Sequence, residues 1–301
     1  MMTRIKGYVD LLRPFTLLAP LIVSSCIMIT SLIYNGKTNI PTLNVLLTII
    51  PASVSLAILN GASNALNQAT DFNEDKISKP YRPIPRGIIQ PDEAKKTAYI
   101  LYLSAFLLSI TINMMFSLFI TLIAFFTITY SLPPRIKKVL FLNQLWVAIP
   151  RGLLGIMASW SVFGDPLQKM PLAIGCIAAV FLFGGTSTKD ILDAEADKRS
   201  DVKTLVNIFG VKKTALISFS FMTAAFILII PLIILGVLEI YLYPLVSLTI
   251  LTICIFWLMT HNNKSQKKYV VRGENTSAWT LMYTTYFIYA LGFAFITIYS
   301  V

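Results

Sequence analysis

Residues 44–75 read NVLLTIIPASVSLAILNGASNALNQATDFNED, and both halves of that stretch constrain the fold. No charged residue occurs between 44 and 66. About 20 predominantly apolar residues in a helix cross the hydrocarbon of a bilayer, so 44–66 is expected to be a membrane span. The run then passes directly into Asn64, Asn67, Asp71 and Asp75, which places carboxylates at the end of the span.

Working outward, eight further runs have the same character, near 15–34, 97–114, 117–133, 139–163, 171–191, 213–235, 241–260 and 278–300. The chain of 301 residues is 56% hydrophobic but only 13% charged. Soluble domains carry about a quarter charged residues, so a soluble fold is excluded. The expectation is an all-α polytopic membrane protein, with nine transmembrane helices in one bundle around a central apolar cavity capped on the cytoplasmic side. The first span begins after Arg13-Pro14 and reads as a helix that is retained rather than a cleaved leader.

The net charge of +11 does not point to nucleic acid, because nearly every Lys and Arg lies between apolar runs. Cytoplasmic loops collect such residues. With the N-terminus inside, nine spans put 22 of the 25 basic residues on the cytoplasmic side, against Lys37 and Lys169 outside and Arg151 within a span. The C-terminus then lies outside. Cys26, Cys176 and Cys254 fall in apolar runs without paired spacing, and His261 has no neighbouring ligand type, so neither a disulfide nor a zinc site is expected. The chain reads as a single domain, 1–301, with two pseudo-repeats whose motifs lie at 64–86 and 189–205.

In the first motif, Asn67, Asp71 and Asp75 are spaced i, i+4, i+8 and share one face of a continuing helix. Carboxylates at that spacing repel each other, and a bound divalent cation converts the repulsion into coordination. Hard oxygen ligands of this kind suit magnesium, which takes a few carboxylates together with substrate phosphate. In the second motif, Asp193, Asp197 and Asp201 repeat the spacing, with Lys189 and Asp190 just before them. Eight of the fourteen acidic residues sit in these two clusters. Solvated helix ends also carry acidic residues, but two matched clusters on the same side of the membrane favour a site.

Basic residues flank both motifs. Arg82 and Arg86 follow the first, in a segment where Pro80, Pro83 and Pro85 forbid helix and predict a stiff extended loop. Arginine suits bidentate contact with phosphate oxygens; topological charge is the simpler reading for Lys95 and Lys96 and an equal one for Arg86. Tyr130-Ser-Leu-Pro-Pro-Arg135-Ile-Lys137 is a second proline-stiffened basic turn. Arg151 interrupts an apolar run, and its cost at bilayer depth means that it faces the bundle interior, a structural ion pair or a ligand. Gly152 with Gly155 and Gly184-Gly185 read as close helix packing. Tyr283, Tyr286, Phe287 and Tyr289 either pack the last helix or wall an apolar pocket.

Metal-binding carboxylates beside Arg and Lys are what a diphosphate requires, and an apolar interior beneath them suits a hydrocarbon tail. These residues together resemble the UbiA superfamily of intramembrane prenyltransferases. Asn67-x-x-x-Asp71-x-x-x-Asp75 with Lys79-Pro-Tyr-Arg82-Pro-Ile-Pro is similar to its first signature. Lys189-Asp190-x-x-Asp193-x-Glu195-x-Asp197 with Thr204-Leu205 is similar to its second, and Tyr130-Ser-x-Pro-Pro-x-x-Lys137 to its tyrosine–lysine motif. The resemblance implies two magnesium ions, one on Asn67, Asp71 and Asp75 and one on Asp190, Asp193 and Asp197. It implies diphosphate contacts from Arg82 and Lys137, and beside these Asn64, Asn67, Arg86, Tyr130, Arg151 and Lys189 are expected to be substrate-binding residues. The chain departs from the family at Arg86, where a small residue is usual, and at Ala196 and Asp201, where Gly is common.

The expected reaction is magnesium-dependent transfer of a prenyl group from an isoprenyl diphosphate to a lipophilic acceptor, either a quinone precursor or a glycerol-phosphate ether. Asp71, Asp75, Asp193, Asp197 and Lys137 are the expected catalytic group. The partners are the donor, the acceptor and the lipid bilayer, with neither nucleic acid nor an obligate protein partner. A CDP-alcohol phosphotransferase would carry an Asp-Gly-x-x-Ala-Arg string, which is absent. A cation transporter would place its carboxylates near mid-membrane rather than at helix ends.

Overall fold

A computed structural model describes residues 2–199, 202–261 and 276–301, with only the backbone for residues 2, 195 and 196. Asp201 of the second motif, and Lys264, Lys267, Lys268 and Arg272 among the basic residues expected on the cytoplasmic side, lie outside the described residues. Among the described residues all regular structure is helical. In chain order the helices are α1 (Met2–Leu12), α2 (Pro14–Tyr34), α3 (Thr42–Thr70), α4 (Phe72–Ser78), α5 (Pro91–Ile110), α6 (Met114–Ser131) and α7 (Leu142–Ala148). They continue with α8 (Gly155–Trp160), α9 (Lys169–Gly185), α10 (Ser187–Arg199), α11 (Leu205–Ile227), α12 (Ile229–Ile234), α13 (Thr249–His261) and α14 (Ser277–Ser300). A π-helical turn, Ile149–Leu154, joins α7 to α8, and 3-10 turns occupy Ile136–Lys138 and Ile240–Leu248.

Seven helical stretches among the described residues are long and apolar enough to cross a membrane: Pro14–Tyr34, Thr42–Thr70, Met114–Ser131, Lys169–Ala194, Leu205–Ile234, Ile240–His261 and Ser277–Ser300. Two of the nine expected runs fall short, each for a local reason. Helix α5 opens with Asp92, Glu93, Lys95 and Lys96, closed by a capping box between Gln90 and Glu93, so its apolar part is short. The run 139–163 contains Pro150, which has no N–H to donate and crowds the preceding turn. The helix there widens into the π turn, and α7 and α8 are short pieces on either side.

The chain forms two compact units, one of residues 1–135 and 154–166 and the other of 136–153 and 167–301. Each contains one of the two acidic motifs. In the first unit, buried Ala52, Ala62, Ala98 and Ala105 bring α3 and α5 close, and the Ser55 hydroxyl donates to the Ala105 carbonyl at 2.8 Å. Such small-residue contacts are how helices associate in lipid, where apolar burial gives no net drive. The first unit also holds α8 against α2, where Ser31 donates to the Trp160 carbonyl at 2.8 Å and Tyr34 packs edge-on to the Trp160 ring.

A ladder of amides on α3 fixes α1 and α2. Asn60 Nδ2 donates to Thr16 O at 3.0 Å, Asn64 Nδ2 to Leu12 O at 3.0 Å, and Gln68 Nε2 to Leu11 O at 2.7 Å. These carbonyls are ones the helices cannot satisfy themselves. Leu11 and Leu12 end α1, and Thr16 lies four residues before Pro20, which has no N–H.

In the second unit the glycines allow close packing. A methyl group on Gly152 would lie 2.5 Å from the backbone nitrogen of Ala179 on α9, and one on Gly184 would lie 2.6 Å from Ser218 O on α11. Helix α14 is sealed in by its aromatics: Tyr289 Oη donates to Ile174 O at 2.9 Å and Tyr286 Oη to Arg151 O at 3.0 Å. Tyr283 stacks on Trp279 and meets Phe287 edge-on. Tyr286 and Tyr289 are therefore packing residues.

Candidate active site

The first motif sits where α3 hands over to α4. Asp71 is the joint, with φ −103° and ψ 23°, so the helix is bent there rather than continuous as the sequence reading supposed. The i to i−4 bonds nevertheless run through: Asp71 N to Asn67 O at 2.9 Å, Asp75 N to Asp71 O at 2.8 Å, and Lys79 N to Asp75 O at 2.8 Å. The one-face spacing of Asn67, Asp71 and Asp75 survives the bend. Asn67 Nδ2 donates to Asp71 Oδ2 at 2.8 Å, which leaves the amide oxygen of Asn67 as its remaining donor atom for a cation.

Asp75 is 3% exposed and Arg82 5%. A single guanidinium nitrogen, Nη1 of Arg82, donates to both Asp75 oxygens at 2.9 and 2.7 Å. Burial pushes the Asp75 carboxyl above the usual carboxylate range, against the opposing pull of Arg82 and Lys79. A buried carboxylate in that setting is stabilised by any added positive charge. The segment after α4 is a compact series of turns, not the extended loop predicted: Arg82 N bonds to Lys79 O, Arg86 N to Arg82 O, and Gly87 (φ 71°) closes back on Ile84. Proline fixes φ near −65°, which serves the second position of a turn as well as an extended strand. The loop is pinned by buried Ile84 and Ile89, while Arg86 is exposed.

Arg135, which the sequence places in a basic turn without naming its partner, donates through Nη2 to Asp71 Oδ1 at 3.2 Å and to Thr70 O at 3.3 Å, and lies 3.6 Å from Glu74. Its basic turn is the signal that was available in the sequence. Asn64 is buried, and besides Leu12 O it meets Thr16 Oγ1 at 2.9 Å, so its amide serves the α1–α2 joint. Tyr130 is half-buried in the last turn of α6.

In the second unit, Asp190, Asp193 and Asp197 lie on α10 at i, i+3, i+7, on one face. Asp190 is buried with Lys189 Nζ 3.6 Å away, and Asp193 and Asp197 are half-buried. Lys137 is 6% exposed in its 3-10 turn. Lys203 N donates to Lys138 O at 3.3 Å, which ties the segment leaving the second motif to the turn that carries Lys137. Thr204 then caps α11 by accepting from Asn207 N at 3.3 Å. Arg151 is exposed, in the π turn.

Among the described residues no three Asp, Glu, His or Cys side chains converge as a closed ligand shell. The donor set is one of hard oxygens, two carboxylates and an amide in the first motif, which is the kind that holds magnesium when substrate oxygens complete the shell. The residues therefore fit that ion.

Residues 22–272 match the UbiA prenyltransferase family. The chain is 31% identical over 215 residues to the digeranylgeranylglyceryl phosphate synthase of Methanosphaera stadtmanae, covering 70% of this chain and 72% of that protein. Its fold resembles the solved structure of a digeranylgeranylglyceryl phosphate synthase, with a TM-score of 0.67, 22% identity and coverage of 98% and 99% of the two chains. It also resembles a UbiA homologue from Archaeoglobus fulgidus bound to GPP and Mg2+, with a TM-score of 0.66, 20% identity and coverage of 98% and 100%.

Proposed function

Since the chain belongs to the UbiA prenyltransferase family and is a multi-pass membrane prenyltransferase, we propose that it alkylates the free hydroxyl of a geranylgeranylglyceryl phosphate with a second prenyl group. The observation that carries the acceptor is the 31% identity to a synthase named for a product with two geranylgeranyl chains on glyceryl phosphate. A product of that kind needs one prenyl transfer to a glyceryl phosphate that already bears one chain. The family match also displaces the phosphotransferase and transporter readings.

In this proposal two magnesium ions are held, one by Asn67, Asp71 and Asp75 and one by Asp190, Asp193 and Asp197. Bound magnesium supplies charge neutralisation that makes pyrophosphate a good leaving group. Arg82 and Lys137 brace the diphosphate oxygens, with Lys189, Tyr130 and Arg86 on the substrate side. The acceptor hydroxyl attacks the allylic carbon as its bond to the diphosphate oxygen breaks, an ether bond forms, pyrophosphate leaves, and the hydroxyl proton passes to an acidic residue or to the departing pyrophosphate. The apolar helices exclude the water that would otherwise take the prenyl group. The chain crosses the membrane nine times in this proposal, with the N-terminus and both motifs cytoplasmic.

The test incubates purified protein with radiolabelled geranylgeranyl diphosphate, magnesium, and either geranylgeranylglyceryl phosphate or an aromatic quinone precursor. Ether product with the first acceptor only, absent with chelator and in Asp71→Asn, is the expected result. Product with the aromatic acceptor alone would overturn the acceptor assignment.

A further inference from the structure

Gln144 lies in α7, seven residues after Lys137, and is 1% exposed. Neither its Nε2 nor its Oε1 has a hydrogen-bond partner. A buried amide left unsatisfied at both ends is costly, and native proteins keep such groups where a ligand or a water completes them. The missing partner must both give and accept a hydrogen bond. A diphosphate only accepts, and a prenyl tail does neither, so of the reactants proposed above only the alcohol acceptor satisfies both atoms.

A second observation lies on the same helical stretch. Arg151 follows Gln144 by seven residues, about two turns and roughly 10 Å along the axis, and its side chain is exposed within a chain that spans a membrane. A guanidinium in such a run faces the bundle interior, a protein partner or a water-filled space rather than hydrocarbon, and a polar ligand can share that setting. The π turn that carries Arg151 is a local irregularity of a kind that clusters at functional sites.

We propose that Gln144 and Arg151 form the polar subsite of the acceptor, with Gln144 on the nucleophilic hydroxyl and Arg151 on the phosphate. Gln144 Oε1 accepts the hydroxyl hydrogen and turns an oxygen lone pair outward for attack, while Nε2 donates to a neighbouring oxygen of the glycerol. The amide orients the nucleophile and does not take its proton. This assignment deepens the prenyl-transfer reading and rests on it for the identity of the alcohol.

The test compares wild type with Gln144→Leu and Arg151→Gln, using geranylgeranylglyceryl phosphate and the uncharged geranylgeranylglycerol as probes. Gln144→Leu is expected to raise the acceptor KM about tenfold or more, the weight of the two hydrogen bonds lost, with the diphosphate KM unchanged. Its Tm stays level or rises, because an apolar side chain replaces an unsatisfied amide. Arg151→Gln is expected to raise KM for the phosphate-bearing probe only. A fall in Tm with both KM values unchanged would make Gln144 structural, and a shift in the diphosphate KM alone would move it to the donor; either overturns the assignment. The acceptor-induced rise in Tm, present in wild type and lost in Gln144→Leu, reads the subsite without turnover. The prenyl-transfer reading fails separately, when wild type releases no pyrophosphate.

Discussion

Asp75 and Arg82 are a buried ion pair, so removing one partner strands the other out of water. Asp75→Asn is expected to destabilise the protein in detergent, and Asp75→Asn with Arg82→Gln to cost less than the two single changes together. A coupling of about 1–3 kcal/mol in a double-mutant cycle of denaturation midpoints would show it. Asn64 gives a contrasting case. Its amide serves Leu12 O and Thr16 Oγ1, so Asn64→Leu is expected to lower stability by about 1–2 kcal/mol while leaving the diphosphate KM unchanged. The sequence showed which residues are polar at the end of the span, because their spacing is a local property. It did not show which amides are spent on backbone carbonyls, since that depends on where α1 ends and on Pro20, fifty residues distant in some pairs. The partner of Arg135 was missed for the same reason: its contact with Asp71 is long-range.

At the scale of single elements, the π turn and its glycine decide how closely α9 can approach. Gly152→Ala places a methyl group 2.5 Å from a backbone nitrogen, which no rotamer change relieves. A loss of about 1–3 kcal/mol is expected from such overpacking, visible as a lower Tm without a change in magnesium dependence. Gly152 and Gly184 were legible as packing residues, since small residues inside apolar runs have few other uses. The break at Pro150 was written in the sequence too, but an apolar run of sufficient length masked it. The turn-rich course of the loop carrying Arg82 was not legible, because proline is compatible with both turn and extended geometry.

For the whole molecule, the number of crossings is a quantity that a label can read. With nine spans the α5–α6 turn at Thr111 lies outside, and Arg135, Lys137 and Lys138 lie inside, in accord with the distribution of basic residues. If α5 and the α7–α8 stretch did not cross, Thr111 would face the cytoplasm. A single cysteine at position 111 in a cysteine-free background is expected to react with a membrane-impermeant maleimide added to intact cells; protection until lysis would remove the nine-span topology. The amide ladder bears on the chain's history as well as its stability. Asn64 and Gln68 grip the carbonyl oxygens of Leu12 and Leu11, so this part of the anchorage of α1 does not depend on which side chains α1 carries, whereas buried Leu11 and close-packed Gly7 do depend on theirs. The opening segment can therefore drift in sequence at its exposed positions without losing these two bonds, while positions 7 and 11 are held to small and apolar residues.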